Sequence, residues 1–252
     1  GDSMRELFVE DDTGFYVLDL DGTLRFSRQV TAPFAAAVMR VNADETAEIV
    51  LYESNADVVI LNGDGAESSR FSAADFVGGA GRMRIAGPAQ DEIVLADPTS
   101  KIAAFSAQGT LLWQADPLPG ALRALVRLPD ELGGQVVIGD EEGHVAIYDA
   151  TGRELWSTSI DGGLRRLRAF TVDGSGQVFV GGVSGRLNVH DALSGAVLWT
   201  ADLGQSVDEI RPIELDSNPA TTEIAVGGRE GGVWVYDANG DRLWSAQAAG
   251  KV

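Results

Sequence analysis

Six glycines, at positions 22, 65, 109, 152, 195 and 240, divide the chain at intervals of 43, 44, 43, 43 and 45 residues. Each marks the same local event, clearest in Val189-His190-Asp191-Ala192-Leu193-Ser194-Gly195-Ala196-Val197-Leu198-Trp199. An apolar run reaches an Asp, turns at a Gly, and delivers a Trp four residues later. Tyr148-Asp149-Ala150-Thr151-Gly152 leading to Trp156, Tyr236-Asp237-Ala238-Asn239-Gly240 leading to Trp244, and Phe105-Ser106-Ala107-Gln108-Gly109 leading to Trp113 repeat it. Leu18-Asp19-Leu20-Asp21-Gly22 leading to Phe26, and Leu61-Asn62-Gly63-Asp64-Gly65 leading to Phe71, keep an aromatic in the Trp place. A single such stretch reads only as a hairpin. Six in tandem, at a period of about 40–45 residues with several short strands per copy, are the signature of a propeller array with one four-stranded blade per copy.

Six copies in 252 residues leave about 42 for each, so one domain over 1–252 is expected. A chain of this size buries roughly three quarters of its unfolded surface and does not depend on disulfides. Cysteine is absent, which removes a redox thiol, a cysteine nucleophile and any thiolate metal site without identifying the compartment. No apolar run approaches the roughly 20 residues of a membrane helix, and no charged-then-apolar leader opens the chain. The chain begins inside a repeat, which leaves room for an export signal upstream. The formal charge of −19, from 38 acidic and 19 basic residues, repels phosphate backbones and makes nucleic acid and anionic membranes poor partners. Lysine occurs only at 101 and 250, so arginine supplies nearly all the positive charge.

The first copy, blade 7–27, matches only the second, third and fourth strands of the others and lacks its innermost strand. Blades 36–71, 82–115, 122–157, 164–201 and 207–246 each hold four, which gives 23 strands in an all-β, six-bladed β-propeller of four-stranded antiparallel blades. After Trp244 too few residues remain to supply the strand that the first blade lacks. Two alternatives stay open: a three-stranded blade with an exposed inner edge, or a natural chain that is longer at its amino end. Interiors such as Ile93-Val94-Leu95 and Val136-Val137-Ile138 are apolar on both faces, as expected for sheets covered on both sides.

The pattern Asp-Ala-x-Ser/Thr-Gly-x-x-Leu-Trp, best seen at 191–199 and 149–156, resembles the repeat of the pyrroloquinoline-quinone-like propellers and, more loosely, the WD repeat. The resemblance runs from Leu7 onward and is specific for fold. Quinoprotein dehydrogenases of that superfamily use adjacent cysteines, a calcium-binding acidic site and an eight-bladed ring. With no cysteine and six repeats, this sequence is not expected to bind the quinone, and no calcium site can be assigned. The noncatalytic members, which include scaffolds for outer-membrane assembly, are closer. They imply a protein-binding surface and favour a periplasmic or extracellular location.

The recurring aromatics Phe26, Phe71, Trp113, Trp156, Trp199 and Trp244 are expected to wedge neighbouring blades. Gly181-Gly182 and Gly227-Gly228 are expected to mark close backbone approach. An octet, Val17-Leu18-Asp19-Leu20-Asp21-Gly22-Thr23-Leu24, resembles motif one of the haloacid-dehalogenase-like phosphatases, with Asp19 as nucleophile and Asp21 as acid/base. It also aligns in register with 146–153 of the repeat, and that phosphatase fold needs helices between parallel strands, for which no period exists. The only histidines, His144 and His190, sit at different places in their repeats without a recurring catalytic partner. The acidic turns at 10–12 and 216–218 lack the alternating ligands of a dedicated calcium loop.

An apolar-Arg pair recurs in each complete blade: Met39-Arg40, Met83-Arg84, Val126-Arg127, Leu167-Arg168 and Ile210-Arg211, at intervals of 44, 43, 41 and 43. Since the first strand of a propeller blade is innermost, these five arginines are expected to face a central channel. Converging guanidiniums bind carboxylate or phosphate through paired donors. The alternative is a structural role, donating to carbonyls or to carboxylates such as Asp208 or Glu209. The reading that follows is a noncatalytic scaffold whose protein partner docks on one end face, where loops 116–120, 130–134 and 216–222 differ most between repeats. Its alternative is an anionic small ligand or acidic peptide bound in the arginine-lined channel, as in an enzyme or receptor.

Overall fold

The computed structural model describes residues 6–11, 13–30, 35–39, 48–53, 55–74, 84–86, 92–128, 135–215, 218 and 221–248. Among these there are 23 strands and no α-helix, and no helix long and apolar enough to cross a membrane. The first sheet is three-stranded: β1 (Glu6–Asp11), β2 (Gly14–Asp19) and β3 (Leu24–Gln29). Five four-stranded sheets follow: β4 (Ala35–Met39) to β7 (Glu67–Ser72) through β5 (Glu48–Tyr52) and β6 (Asp57–Leu61); then β8 (Arg84–Ala86), β9 (Glu92–Ala96), β10 (Ile102–Ser106) and β11 (Leu111–Ala115). The fourth sheet comprises β12 (Leu122–Arg127), β13 (Val136–Asp140), β14 (His144–Tyr148) and β15 (Glu154–Ser159). The fifth comprises β16 (Leu164–Val172), β17 (Ser175–Gly182), β18 (Arg186–Asp191) and β19 (Val197–Asp202). The last is β20 (Val207–Ile213), β21 (Glu223–Gly228), β22 (Gly232–Tyr236) and β23 (Arg242–Gln247). Strands consecutive in sequence pair antiparallel, as short hairpin loops require.

Backbone contacts group the chain into two compact units, Gly1–Pro117 with the first three sheets and Leu118–Val252 with the other three. Within each unit the core lies between successive sheets. In the first unit, Phe15 and Val17 pack with Leu51, Val59 and Leu61, and Val50 and Ile60 pack with Ile93, Leu95 and Phe105. In the second, Val137 and Ile147 meet Leu164, Leu167 and Val178, while Phe179 and Val189 meet Ile210, Ile224 and Val226. Middle strands such as β5, β9, β13 and β14 are therefore buried on both faces, and each such Val, Leu or Ile contributes roughly 1.5–3 kcal/mol by leaving water. The last strands β7 and β23 are mostly or wholly exposed.

The recurring glycine has a defined backbone task. In all six sheets the last hairpin carries a register shift, between Val17 and Leu18, Ile60 and Leu61, Ala104 and Phe105, Ile147 and Tyr148, Val189 and His190, and Val235 and Tyr236. The glycine that follows has φ of 86°, 85°, 81°, 78°, 72° and 86° in chain order, the left-handed region that a bulged hairpin turn demands. The turn Asp explains itself too. Asp149 Oδ1 accepts the backbone N–H of Thr151 at 2.9 Å and of Arg153 at 3.1 Å, closing the turn around a carboxylate.

Candidate functional site

In four sheets, two in each unit, the aromatic that follows the turn sits against the next sheet's turn glycine. A Cβ on Gly65 would lie 2.6 Å from the Phe26 ring, one on Gly195 2.7 Å from Trp156, and one on Gly240 2.5 Å from Trp199; Gly109 meets Phe71 in the same way. The other wall is the aromatic at the end of the next sheet's third strand. Phe71 packs on Phe105 with ring centroids 5.6 Å apart, Trp156 on His190 at 5.5 Å, and Trp199 on Tyr236 at 5.3 Å. This second ring was not singled out from the sequence. The signal was present, as an aromatic or His directly before the turn residue at 105, 148, 190 and 236. Trp113 is buried, and Trp244 on β23 is 45% exposed. Of the paired glycines, Gly181 and Gly228 are close approaches: a Cβ on Gly181 would come within 2.6 Å of Val207, the first residue of the next sheet, and one on Gly228 within 2.6 Å of Gln205.

Strand pairing separates the five arginines that the repeat interval had grouped. Arg168 lies opposite Phe179 and Arg211 opposite Ala225, equivalent places in β16 and β20. In β12 that place, opposite Val137, belongs to Val126; Arg127 is one step on, opposite Val136, where β16 has Ala169 and β20 has Pro212. A one-residue step turns a side chain to the other face of its sheet, so Arg127 does not continue the row of Arg168 and Arg211. Arg84 pairs with Ala96, two steps from the Arg168 position, and Arg40 lies outside the described residues. Strand pairing thus matches Arg168 with Arg211 and sets Arg127 apart from them.

That pair belongs to a denser cluster. Each first strand of the second unit carries a bulge near its start, at 122/124, 164/166 and 207/209, which re-aims Arg123, Arg165 and Asp208. Arg165 Nε donates to Asp208 Oδ1 at 2.6 Å across neighbouring sheets. Beside them Glu209 takes Arg166, takes Arg168 Nη2 at 3.0 Å and takes Arg211 Nε at 3.1 Å. Among the described residues, four guanidiniums therefore meet two carboxylates in these ion pairs, in a chain whose net charge is −19. The imbalance registers on Arg166, whose pKa is drawn below the usual arginine range by burial and then by repulsion from Arg168, Arg211 and Arg165. Arg165 moves the other way, raised by its hydrogen bond to Asp208, which is itself lowered by Arg165. Arg211 presents 67% of its side chain to solvent, so this positive surface is reachable. The sequence points to Asp208 and Glu209 as carboxylate partners; Arg165 and Arg166 are additions made by the fold.

His144 gains a partner four residues away. Its ring Nδ1 lies 2.8 Å from Asp140 Oδ2, and Asp140 also accepts from the N–H groups of Gly120 at 2.8 Å, Gly143 at 2.9 Å and His144 at 2.9 Å. Burial alone would raise the Asp140 pKa; the Gly120 and His144 hydrogen bonds outweigh it and hold the group below its ordinary value. A carboxylate committed to four donors clamps a turn. His190 is buried, with its Nδ1 3.0 Å from the Gly195 carbonyl and its ring against Trp156.

Asp21 accepts the Thr23 N–H at 2.9 Å and Asp19 pairs with Arg25 at 3.1 Å, both within the β2–β3 hairpin, so the phosphatase-like octet is a turn of the repeat. Asp11 accepts from Thr13 and Gly14 as a turn cap; residues 12, 216 and 217 lie outside the described residues. No group of three or more His, Asp or Glu among the described residues could hold a metal ion. Of the variable loops, 116–120 is described, while 130–134 and most of 216–222 lie outside.

Tandem antiparallel sheets joined through turn glycines and aromatic wedges define a β-propeller, and solved structures of that class match the chain. BBS1N in complex with ARL6DN is 15% identical over 89% of this chain and 73% of that one, with a TM-score of 0.69. BamB from Moraxella catarrhalis is 14% identical over 99% and 74%, with a TM-score of 0.63, and Saccharomyces cerevisiae Sqt1 is 14% identical over 90% and 66%, with a TM-score of 0.69. Identities this low speak for the fold alone. No curated protein matches the sequence. The family model described as outer membrane protein assembly factor BamB matches residues 54–158 and 141–252, and the chain belongs to that family.

Proposed function

We propose that the chain is a noncatalytic scaffold, with 1–252 acting as one domain, that binds an acidic segment of a protein partner through Arg166, Arg168 and Arg211. The observation that carries this reading is the convergence of Arg166, Arg168 and Arg211 on Glu209, with Arg211 exposed, on an otherwise strongly acidic chain. Guanidinium pairs recognise carboxylates bidentately, and a site flanked by low-dielectric sheets strengthens that pairing. Family membership supports a role in assembly and a periplasmic or extracellular location, and BBS1N, of like fold, was solved in complex with ARL6DN. Neither cofactor nor calcium is part of the proposed function.

A short acidic peptide, hexaglutamate, and citrate as a small anion test it by calorimetric titration. Arg168→Gln with Arg211→Gln should weaken hexaglutamate about tenfold or more while the melting temperature holds. A fall in melting temperature with unchanged affinity assigns these arginines to the frame instead. Citrate binding as tightly as hexaglutamate would favour the small-anion receptor.

A further inference from the structure

The three first strands of the second unit share a bulge at one place, and the residue that the bulge releases differs from strand to strand. Between Leu122 and Ala124 it is Arg123 on β12, between Leu164 and Arg166 it is Arg165 on β16, and between Val207 and Glu209 it is Asp208 on β20. The ladder fixes the equivalence. Ala124, Arg166 and Glu209, the residues that follow, each lie opposite a glycine of the second strand: Gly139, Gly181 and Gly227. A bulged residue leaves the ladder, and its side chain is re-aimed. From this place a side chain reaches across to the next sheet, since Arg165 Nε lies 2.6 Å from Asp208 Oδ1.

One sheet earlier, the same step matches Arg123 with Arg165, a like charge whose carboxylate is already supplied by Asp208. Arg123 is half-buried, and its guanidinium has neither an ion pair nor a hydrogen bond among the described residues. Its own strand offers no carboxylate, because Ala124 takes the place that Glu209 holds on β20. Asp140, opposite Leu122, is committed to the N–H groups of Gly120, Gly143 and His144 and to the His144 ring. A guanidinium carries five donors in a fixed fork, and a carboxylate that accepts two of them at once is its strongest partner.

We infer that Arg123 is a second point of attachment for the acidic segment: a carboxylate of the protein partner does for Arg123 what Asp208 does for Arg165. The inference rests on the reading of Arg166, Arg168 and Arg211 as the first point. It also sets a length. Packed sheets lie about 10 Å apart, so β12 and β20, two sheets apart, are separated by about 20 Å or less. An extended chain covers about 3.3–3.6 Å per residue, so an acidic run of about six residues spans from Arg123 to Arg211, and a run of two does not. Joining the two points in one ligand raises affinity without any new contact at the first.

The test is calorimetric titration of the whole chain with hexaglutamate and with acetyl-Glu-Glu-amide, at about 0.15 M salt, where exposed charges more than about 8 Å apart are largely screened. Arg123→Gln should weaken hexaglutamate about threefold to fivefold, leave acetyl-Glu-Glu-amide unchanged, and keep the melting temperature. Arg123→Lys, which keeps the charge and the stem but not the fork, should weaken hexaglutamate about twofold, and it carries the test if the Gln variant loses stability. Unchanged hexaglutamate affinity in the folded variants, or equal losses for the two peptides, overturns the second point, while a loss in Arg168→Gln with Arg211→Gln still upholds the first. Wild type that binds neither peptide overturns both.

Discussion

Trp156 hands its indole N–H to the carbonyl of Ala192 at 3.0 Å, while its ring covers Gly195 of the same turn. Trp199 covers Gly240 in the same manner but finds no carbonyl for its N–H among the described residues. Trp156→Phe should therefore cost about 1–3 kcal/mol, since it leaves a fully buried carbonyl unpaired, whereas Trp199→Phe should cost clearly less. Urea unfolding of both variants measures this; equal losses would show that ring packing alone sets the energy.

The turn glycines answer to two demands, and one substitution series separates them. Gly204 has φ of 67° with nothing within 4 Å of an added Cβ, so Gly204→Ala should cost only the left-handed penalty of about 1–2 kcal/mol. Gly195→Ala and Gly240→Ala add a collision with Trp156 or Trp199 and should cost about 2–5 kcal/mol. Pairing Gly240→Ala with Trp199→Leu should recover part of that loss in thermal unfolding.

Asp140 makes a pH-dependent contribution whose sign follows from its lowered folded pKa. The stabilisation is complete above the unfolded value of about 4 and is lost as pH falls through the lower folded value. Melting temperatures of wild type and Asp140→Asn should thus differ at neutral pH and converge in the acid range. A gap that stays constant below pH of about 3 would place the effect in geometry rather than charge.

Glu209 is the carboxylate shared by Arg166, Arg168 and Arg211. Glu209→Gln should lower the melting temperature at low salt, by about 1 kcal/mol of stability given partial exposure, and sulfate should restore it by screening and by binding the guanidiniums. The same variant should bind hexaglutamate more tightly than wild type, in calorimetry, because it removes an internal competitor.

Much of the fold was legible because its turns are chemically demanding. A left-handed bulge position tolerates little but glycine, so the six glycines with their aromatics exposed the repeat, and the three strands of the first sheet followed from aligning 7–27 with later copies. The arginines were less legible. Interval arithmetic placed Arg127 with Arg168 at a spacing of 41, and the shortfall against 43 was the trace of a register difference that only strand pairing resolves. The pairing of His144 with Asp140 escaped notice because it belongs to one turn.

By itself the sequence determined the number of repeats, the place of the last hairpin turn in each sheet and the continuous apolar runs that bury the middle strands on both faces, since these depend on local backbone sterics and periodicity. Tertiary structure alone decided that three arginines converge on Glu209, and that Trp156 finds a carbonyl while Trp199 does not. Those outcomes turn on bulges and on the sixth sheet's turn, which closes from Gly240 N to Asp237 O, one residue shorter than the Gly195 N to Asp191 O turn of the fifth. Such shifts of a few ångströms between neighbouring sheets leave the repeat pattern unchanged and alter which polar groups can reach one another.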